Sequence, residues 1–137
     1  MAKLQMNNTW EMAAVPFVPV MELVAEHCAN LAEVSIDGQL LSWSLGGYPS
    51  PNLQVAQRFA EDPGASIDSV LNQIAADRYS PQAVPHARQA WSAFSTAFRE
   101  YPFGMQTLYF SPHLTGPANL FYAQPTGYSA TMVGLPY

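Results

Sequence analysis

Apolar and polar side chains alternate near the start of the chain, from Lys3 to Trp10. A period of two residues is typical of a β-strand, so this pattern predicts a first strand that ends near Glu11. After a connection marked by prolines, apolar residues recur mainly at helical spacing from about Val20 to Val34, and the acidic side chains lie mostly on the other side. This second pattern predicts an amphipathic helix.

A short and largely apolar run then extends from Gln39 to Leu45, after the turn signal Asp37-Gly38 and before Gly46-Gly47. The run predicts a second strand. A continuous apolar strand that follows a helix favours a parallel sheet that is buried on both faces. Asp37 precedes this strand and therefore belongs to the end of the sheet opposite Glu11.

Three further helices are predicted downstream. Asn52 is the predicted N-cap of a short helix that is closed by Pro63-Gly64, and Ser66 is the predicted N-cap of the next one. Pro81 and Pro85 interrupt the chain, because both cannot lie inside one regular helix without a kink. A long helix follows from about His86 to Tyr101, and its predicted apolar face consists of Ala87, Ala90, Trp91, Phe94, Ala97 and Phe98.

The length of 137 residues predicts a single domain. Within it we distinguish two β/α units at about 3–61, a helical region at 66–101 and an irregular segment at 102–137 that is rich in proline, glycine and tyrosine. The expected class is α/β, with two parallel strands followed by a mainly helical region. A closed eight-stranded α/β barrel needs on the order of 250 residues, so the chain is too short to form one alone.

The charge balance removes two classes of partner. Charged residues make up 11% of the chain, and five basic against ten acidic side chains leave a net charge of -5. Without a basic stripe, neither nucleic acid nor an anionic membrane is an expected partner. We expect a soluble chain, because neither a signal peptide nor an apolar run of the roughly 20 residues that span a membrane is readable.

Short motifs predict no cofactor and no metal. The sequence contains no phosphate-binding loop, HExxH, GxSxG or GxGxxG pattern, and His86 and His113 have no partner at the spacing of metal ligands. Cys28 stands beside His27, which raises the alternative of an activated thiolate. Because Cys28 shares the apolar helical face and adjacent helical residues point about 100° apart, we interpret it as a core residue.

A strand ending in "NNTWE", a helix and a strand ending in "LLSWSLGGYPSPN" resemble the last two β/α units of bacterial glycoside-hydrolase-like (βα)8 barrels. The resemblance covers roughly Lys3 to Asn52, and the later "SPHLTGPANLFYAQPTGYSATMVGLPY" is similar to the region after the barrel in the same group. It implies a partial TIM-barrel fragment, in which Glu11 lies near a sugar-binding face and Trp43 and Tyr48 line that face. Six upstream strands are missing, so we expect an excised fragment of a larger hydrolase.

Glu11 is the candidate catalytic acid/base, because the carboxyl ends of barrel strands converge on one mouth. Trp10, Trp43 and Tyr48 are candidate walls of a carbohydrate site, and Asn8 is a candidate donor to sugar hydroxyls. Each has another interpretation: Glu11 as an acid that favours the following helix dipole, the aromatic residues as core, and Asn8 as a strand-end signal. Glycosidic cleavage normally needs two carboxylates, and the sequence offers one at a strand end.

Two parallel strands leave both edges of the sheet without partners, so the fold is expected to be completed by oligomerisation. We predict a homodimer or a higher oligomer, and any active cleft is expected at its interface, where Glu11 from two chains can be brought together. Two functions remain open. One is glycoside or promiscuous ester hydrolysis through Glu11, and the other is a non-enzymatic oligomeric fragment or a module that binds carbohydrates or hydrophobic ligands. The substrate stays open.

Overall fold

A computed structural model describes residues 1–6, 17–34, 36–42 and 50–101, and this part of the chain contains two short parallel strands and four α-helices. In chain order the elements are β1 (Ala2–Gln5), α1 (Met21–Glu33), β2 (Gln39–Ser42), α2 (Pro51–Glu61), α3 (Ile67–Arg78), a 3₁₀ turn (Pro81–Ala83) and α4 (Val84–Arg99). The predicted α/β class, mainly helical with two parallel strands, is confirmed at this level. A barrel fragment is a finer description and stays a prediction.

The two strands pair in register from Ala2 opposite Gln39 to Gln5 opposite Ser42. The prediction that the first strand continues to Glu11 is wrong within the described residues, because β1 ends at Gln5. Met6 is still buried with the core, but its carbonyl oxygen accepts a hydrogen bond from the Asn52 side chain. That contact belongs to a helix rather than to a strand.

Helix α1 agrees with the prediction to within one residue at each end, whereas the start of α2 does not. The predicted N-cap Asn52 is wrong, because the cap is Ser50, whose Oγ accepts the Leu53 backbone N–H at 3.2 Å. Pro51 then occupies the first helical turn, where its fixed φ is compatible with the helix and its missing N–H is not needed. Asn52 therefore lies inside the first turn of α2 instead of capping it.

The predicted cap of α3 is confirmed, since Ser66 Oγ accepts the Ser69 backbone N–H at 3.2 Å. The prolines also behave as expected, because Pro81 lies in the 3₁₀ turn and Pro85 in the first turn of α4. The predicted apolar face of α4 is only partly correct. Trp91 is buried, but Phe94 is 48% exposed, and the small Ser95 is buried instead.

The buried Ser95 accepts a hydrogen bond from a neighbouring helix. The backbone N–H of Glu22, in the first turn of α1, donates to Ser95 Oγ at 3.3 Å. Helix α1 thereby gains a partner for one of the N–H groups that a helix start leaves unpaired. The buried face of α4 therefore includes the polar residue Ser95, whereas apolar spacing predicts a face that includes Phe94.

One hydrophobic core joins the sheet to the helices. Its buried members are Leu4, Met6, Val20, Met21, Val24, Ala25, Cys28, Val55, Ala56, Phe59, Val70, Leu71, Ile74, Ala75 and Trp91. Helix α1 contacts α2, α3 and α4, so it occupies the centre of the described fold. The prediction that Cys28 is a core residue is confirmed.

Three ion pairs join helices at the surface: Arg58 with Asp77 at 3.2 Å, Arg88 with Asp68 at 2.8 Å and Arg99 with Glu26 at 2.7 Å. Exposed pairs of this kind contribute only about 0–1 kcal/mol each. The packed core therefore accounts for most of the stabilisation. Within the described residues, no helix combines the length and the apolar character that crossing a membrane requires.

Candidate functional site

The predicted site residues Asn8, Trp10, Glu11, Trp43 and Tyr48 lie outside the described residues. The described part of the chain shows the two strands that precede these residues in the sequence. Because β1 and β2 are parallel and in register, their carboxyl ends meet at one edge of the sheet. Trp43 directly follows β2, and the segment with the other early candidates follows β1.

Asn52 holds both ends of the segment that contains Glu11. Its side-chain Nδ2 donates to the carbonyl oxygen of Met6 at 2.8 Å and to that of Val18 at 3.0 Å. The residue is 1% exposed, and Ser50 and Pro51 position it by starting α2 immediately before it. A single amide group therefore fixes the distance between the points where the segment leaves β1 and approaches α1.

The hydrogen bonds of Asn52 are not complete within the described part of the chain. Its Oδ1 atom is buried and has no hydrogen-bond partner there. Sequence reasoning missed this residue because it used Asn52 as a cap. The signal that was available is the order Ser50-Pro51-Asn52, in which serine before proline already supplies the cap and leaves an asparagine inside the first turn.

A groove of about 620 Å³ is enclosed by α1, α2 and the beginning of β2. Most of its walls are apolar, and the lining residues include Cys28, Leu31, Leu41, Leu53, Ala56 and Phe59. Its polar lining comes from Asp37, Gln39 and Gln57. Asp37 and Gln39 belong to the amino end of β2, so the groove reaches the end of the sheet opposite the predicted carbohydrate site.

Cys28 forms part of the groove wall but is not an activated thiol. Burial raises the pKa of Cys28 to about 11, so the thiol stays protonated at neutral pH. His27, the neighbouring residue in the sequence, is exposed on another side of α1 while Cys28 is buried. The thiolate alternative therefore has no support from this geometry.

Metal-binding side chains do not cluster in the described ranges. No group of three or more histidine, cysteine, aspartate or glutamate residues lies there in positions that would hold one ion. Asp68 and Asp77 instead pair with arginines of neighbouring helices. The chemistry available to the described surface is therefore binding by apolar contact, amide hydrogen bonds and single carboxylates.

Comparison with known proteins adds no relative to this picture. The resemblance to glycoside-hydrolase-like barrels stays a prediction that rests on the residues quoted for it. What the described fold shares with that group is coarse: two parallel strands joined by a helix and followed by further helices. No protein-family model, no curated protein and no solved structure matches this chain.

Proposed function

We propose that this chain acts as a self-associating α/β binding module, in which a second copy pairs with the open edge of β2. The observation that carries the proposal is the exposure of β2, where Leu40 is 53% and Leu41 is 39% accessible to solvent. Leu41 lines the groove described above, whereas Leu40 lies on the opposite face of the sheet and exposes an apolar side chain on a strand whose outer edge no described strand pairs with.

The two edges of the sheet differ in their protection. Within the described residues β1 carries Lys3, and a lysine on an edge strand is a common means of preventing further pairing. Strand β2 has the sequence Gln-Leu-Leu-Ser and carries no charge. The β2 edge is therefore the one at which we expect association.

Backbone geometry and charge favour an antiparallel pair of β2 strands about a two-fold axis. Gly38 O accepts the Ala2 N–H at 3.0 Å, so by alternation the backbone groups of Gln39 and Leu41 point to the open edge. In an antiparallel arrangement the two Asp37 side chains lie at opposite ends of the ladder and do not repel each other closely. The remaining outer edges are then those of β1, so association closes at a dimer.

The test is replacement of Leu40 with lysine. We expect the natural chain to be dimeric at micromolar concentration and the Leu40→Lys variant to be monomeric, because the new charge would be buried in the paired edge. Mass in solution, measured by light scattering or sedimentation, reads out the result. Phe94→Lys is the matched control, since it places the same charge on another exposed apolar residue, on α4. A stable, folded monomer of the natural chain at micromolar concentration would contradict the proposal.

A hydrolytic function is the second candidate, and the parallel register of β1 and β2 favours it. The carboxyl ends of both strands meet at one edge, from which the segments with Glu11 and Trp43 continue, and Asn52 ties the ends of the first segment together. On this proposal Glu11 acts as acid/base, Trp10, Trp43 and Tyr48 form the walls for a carbohydrate, and Asn8 donates to its hydroxyls. In the antiparallel dimer proposed above, the carboxyl ends of the two sheets lie at opposite ends of the ladder, so each site would use its own Glu11.

Replacing Glu11 with glutamine tests this second candidate on chromogenic glycosides and esters. We expect hydrolysis by the natural chain and its loss in Glu11→Gln, because an amide cannot exchange the proton that general acid/base catalysis requires. Circular dichroism checks that the variant is folded. Glu22→Gln is the control, since it removes an equal charge in the first turn of α1. Unchanged turnover in Glu11→Gln would exclude Glu11 as the catalytic group.

A further inference from the structure

The groove between α1, α2 and β2 has a volume typical of small-molecule sites. Its size of about 620 Å³ falls in the range of roughly 300–1,000 Å³ that ligand pockets occupy. Leucine, alanine and phenylalanine side chains from α1, α2 and β2 provide walls without charge. Such walls favour the apolar body of a ligand, because burying it removes hydrocarbon surface from water.

The charge on the described lining of the groove is negative. Among the described residues that line the groove, Asp37 is the one that carries a charge, and none of them is a lysine or an arginine. In the described part of the chain no cation pairs with Asp37, and Arg58 on α2 is already engaged by Glu61 and Asp77. A carboxylate without a counter-ion beside an apolar groove favours a cationic ligand group over an anionic one.

Hydrogen-bonding capacity points to the same ligand chemistry. Gln57, which lines the groove, donates one side-chain N–H to Glu61 at 2.9 Å and keeps its carbonyl oxygen and a second N–H for other partners. The Asp37 carboxylate accepts hydrogen bonds and donates none when ionised. An ammonium group has three N–H donors and can bond to both of these acceptors, whereas a carboxylate head could use amide donors of the glutamines but would be repelled by Asp37.

From these contacts we propose that the groove binds an amphiphile with an apolar body and a protonated amine head, and that the amine lies at Asp37. The apolar body lies against Leu31, Leu41 and Phe59. This site does not require self-association, and none of the described residues that line it is a predicted carbohydrate-site residue. A failure of the dimer or of hydrolysis would therefore leave it unaffected.

Decylamine, decanoic acid and decanol are the probes, titrated into the full chain by calorimetry below the concentrations at which they aggregate. We expect one decylamine per chain, with decanoate binding at least about tenfold more weakly. Replacing Asp37 with asparagine should lower the decylamine affinity to that of decanol and leave decanol unchanged. Glu33→Gln is the control for general charge, because Glu33 is an exposed α1 acid that does not line the groove. Its decylamine affinity should stay within about twofold.

A second pair of variants tests the groove itself. Ala60 lines the groove from an exposed helical position, so Ala60→Phe should fill it without disturbing the core and should abolish binding of all three probes. Ala90→Phe makes the same change on α4, away from the groove, and should leave binding intact. The proposal is overturned if decylamine and decanoate bind equally, or if Asp37→Asn leaves decylamine affinity unchanged. Absence of decylamine binding also overturns it and would indicate a groove covered by another part of the chain or by a second copy.

Discussion

Replacement of Asn52 with leucine is expected to lower the free energy of unfolding by about 2–4 kcal/mol, because two backbone carbonyls lose their donor at once. Asn52 Nδ2 serves both Met6 O and Val18 O, and the residue is 1% exposed. Leucine has the same number of side-chain heavy atoms with the same branching, so no cavity is created and the loss of hydrogen bonds dominates. Leucine also removes the buried Oδ1 atom, which has no hydrogen-bond partner in the described residues, and this removal offsets part of the loss in stability. Denaturant unfolding followed by circular dichroism measures the difference.

Asn52→Asp extends this test. The aspartate keeps an oxygen where Oδ1 lies but replaces the donor with a second acceptor that faces the same two carbonyls, so we expect it to destabilise more than leucine at neutral pH. Asn72→Leu is the matched control, because Asn72 is exposed and accepts one bond from Arg88. Its effect should stay within about 0.5–1 kcal/mol. If the Asn52 variants were as stable as this control, the amide could not be what holds Met6 and Val18 together.

Replacement of Leu71 with alanine is expected to cost about 2–5 kcal/mol, the range for deleting a buried leucine side chain. Leu71 lies in α3, is 0% exposed and belongs to the core that α3 shares with α1 and α4. The surrounding side chains come from several helices, so they cannot all move into the space left behind. Chemical denaturation of the natural chain and the variant measures the loss.

Phe94→Ala is the control for Leu71→Ala. It deletes a larger apolar side chain, but Phe94 is 48% exposed, so less of its surface leaves water on folding. Leu71→Ala should therefore lower the free energy of unfolding more than Phe94→Ala, although leucine is the smaller side chain. The reverse order would mean that the α4 surface at Phe94 is buried, and that the described core does not carry the stability of the chain.

The helices were the most predictable part of this fold. Helix α1 follows from a long apolar period, and the start of α3 follows from Ser66, whose side chain satisfies a local N–H group. These features depend on residues within one or two turns of each other. The start of α2 was missed although the local Ser50-Pro51 pattern was present, since asparagine is an equally good cap by residue type.

The ends of the strands and the orientation of α4 could not be predicted in this way. Strand β1 ends where Met6 O turns to Asn52, a residue distant in sequence. The buried face of α4 depends on Ser95, whose partner is the backbone of Glu22 in α1. Neither contact leaves a periodic pattern, because each joins one polar atom to another element.

The two candidate sites differ in the same way, because one has a local sequence signal and the other depends on contacts between distant parts of the chain. Residue types and strand order predicted Glu11 and the aromatic candidates at or near the carboxyl ends of two parallel strands, and the structure pairs β1 and β2 in parallel. The groove beside Asp37 has no signature in the sequence, because residues of α1, β2 and α2 line it together.

Sequence alone was sufficient for the α/β class, the helix positions and the burial of Cys28, because apolar periodicity and capping act between near neighbours in the chain. Only the tertiary structure shows that Asn52 donates to two backbone carbonyls and that Leu40 is exposed on β2. The groove beside Asp37 is likewise visible only in the folded chain. These features arise where separate elements meet, and the geometry of that meeting depends on the packing of the whole core.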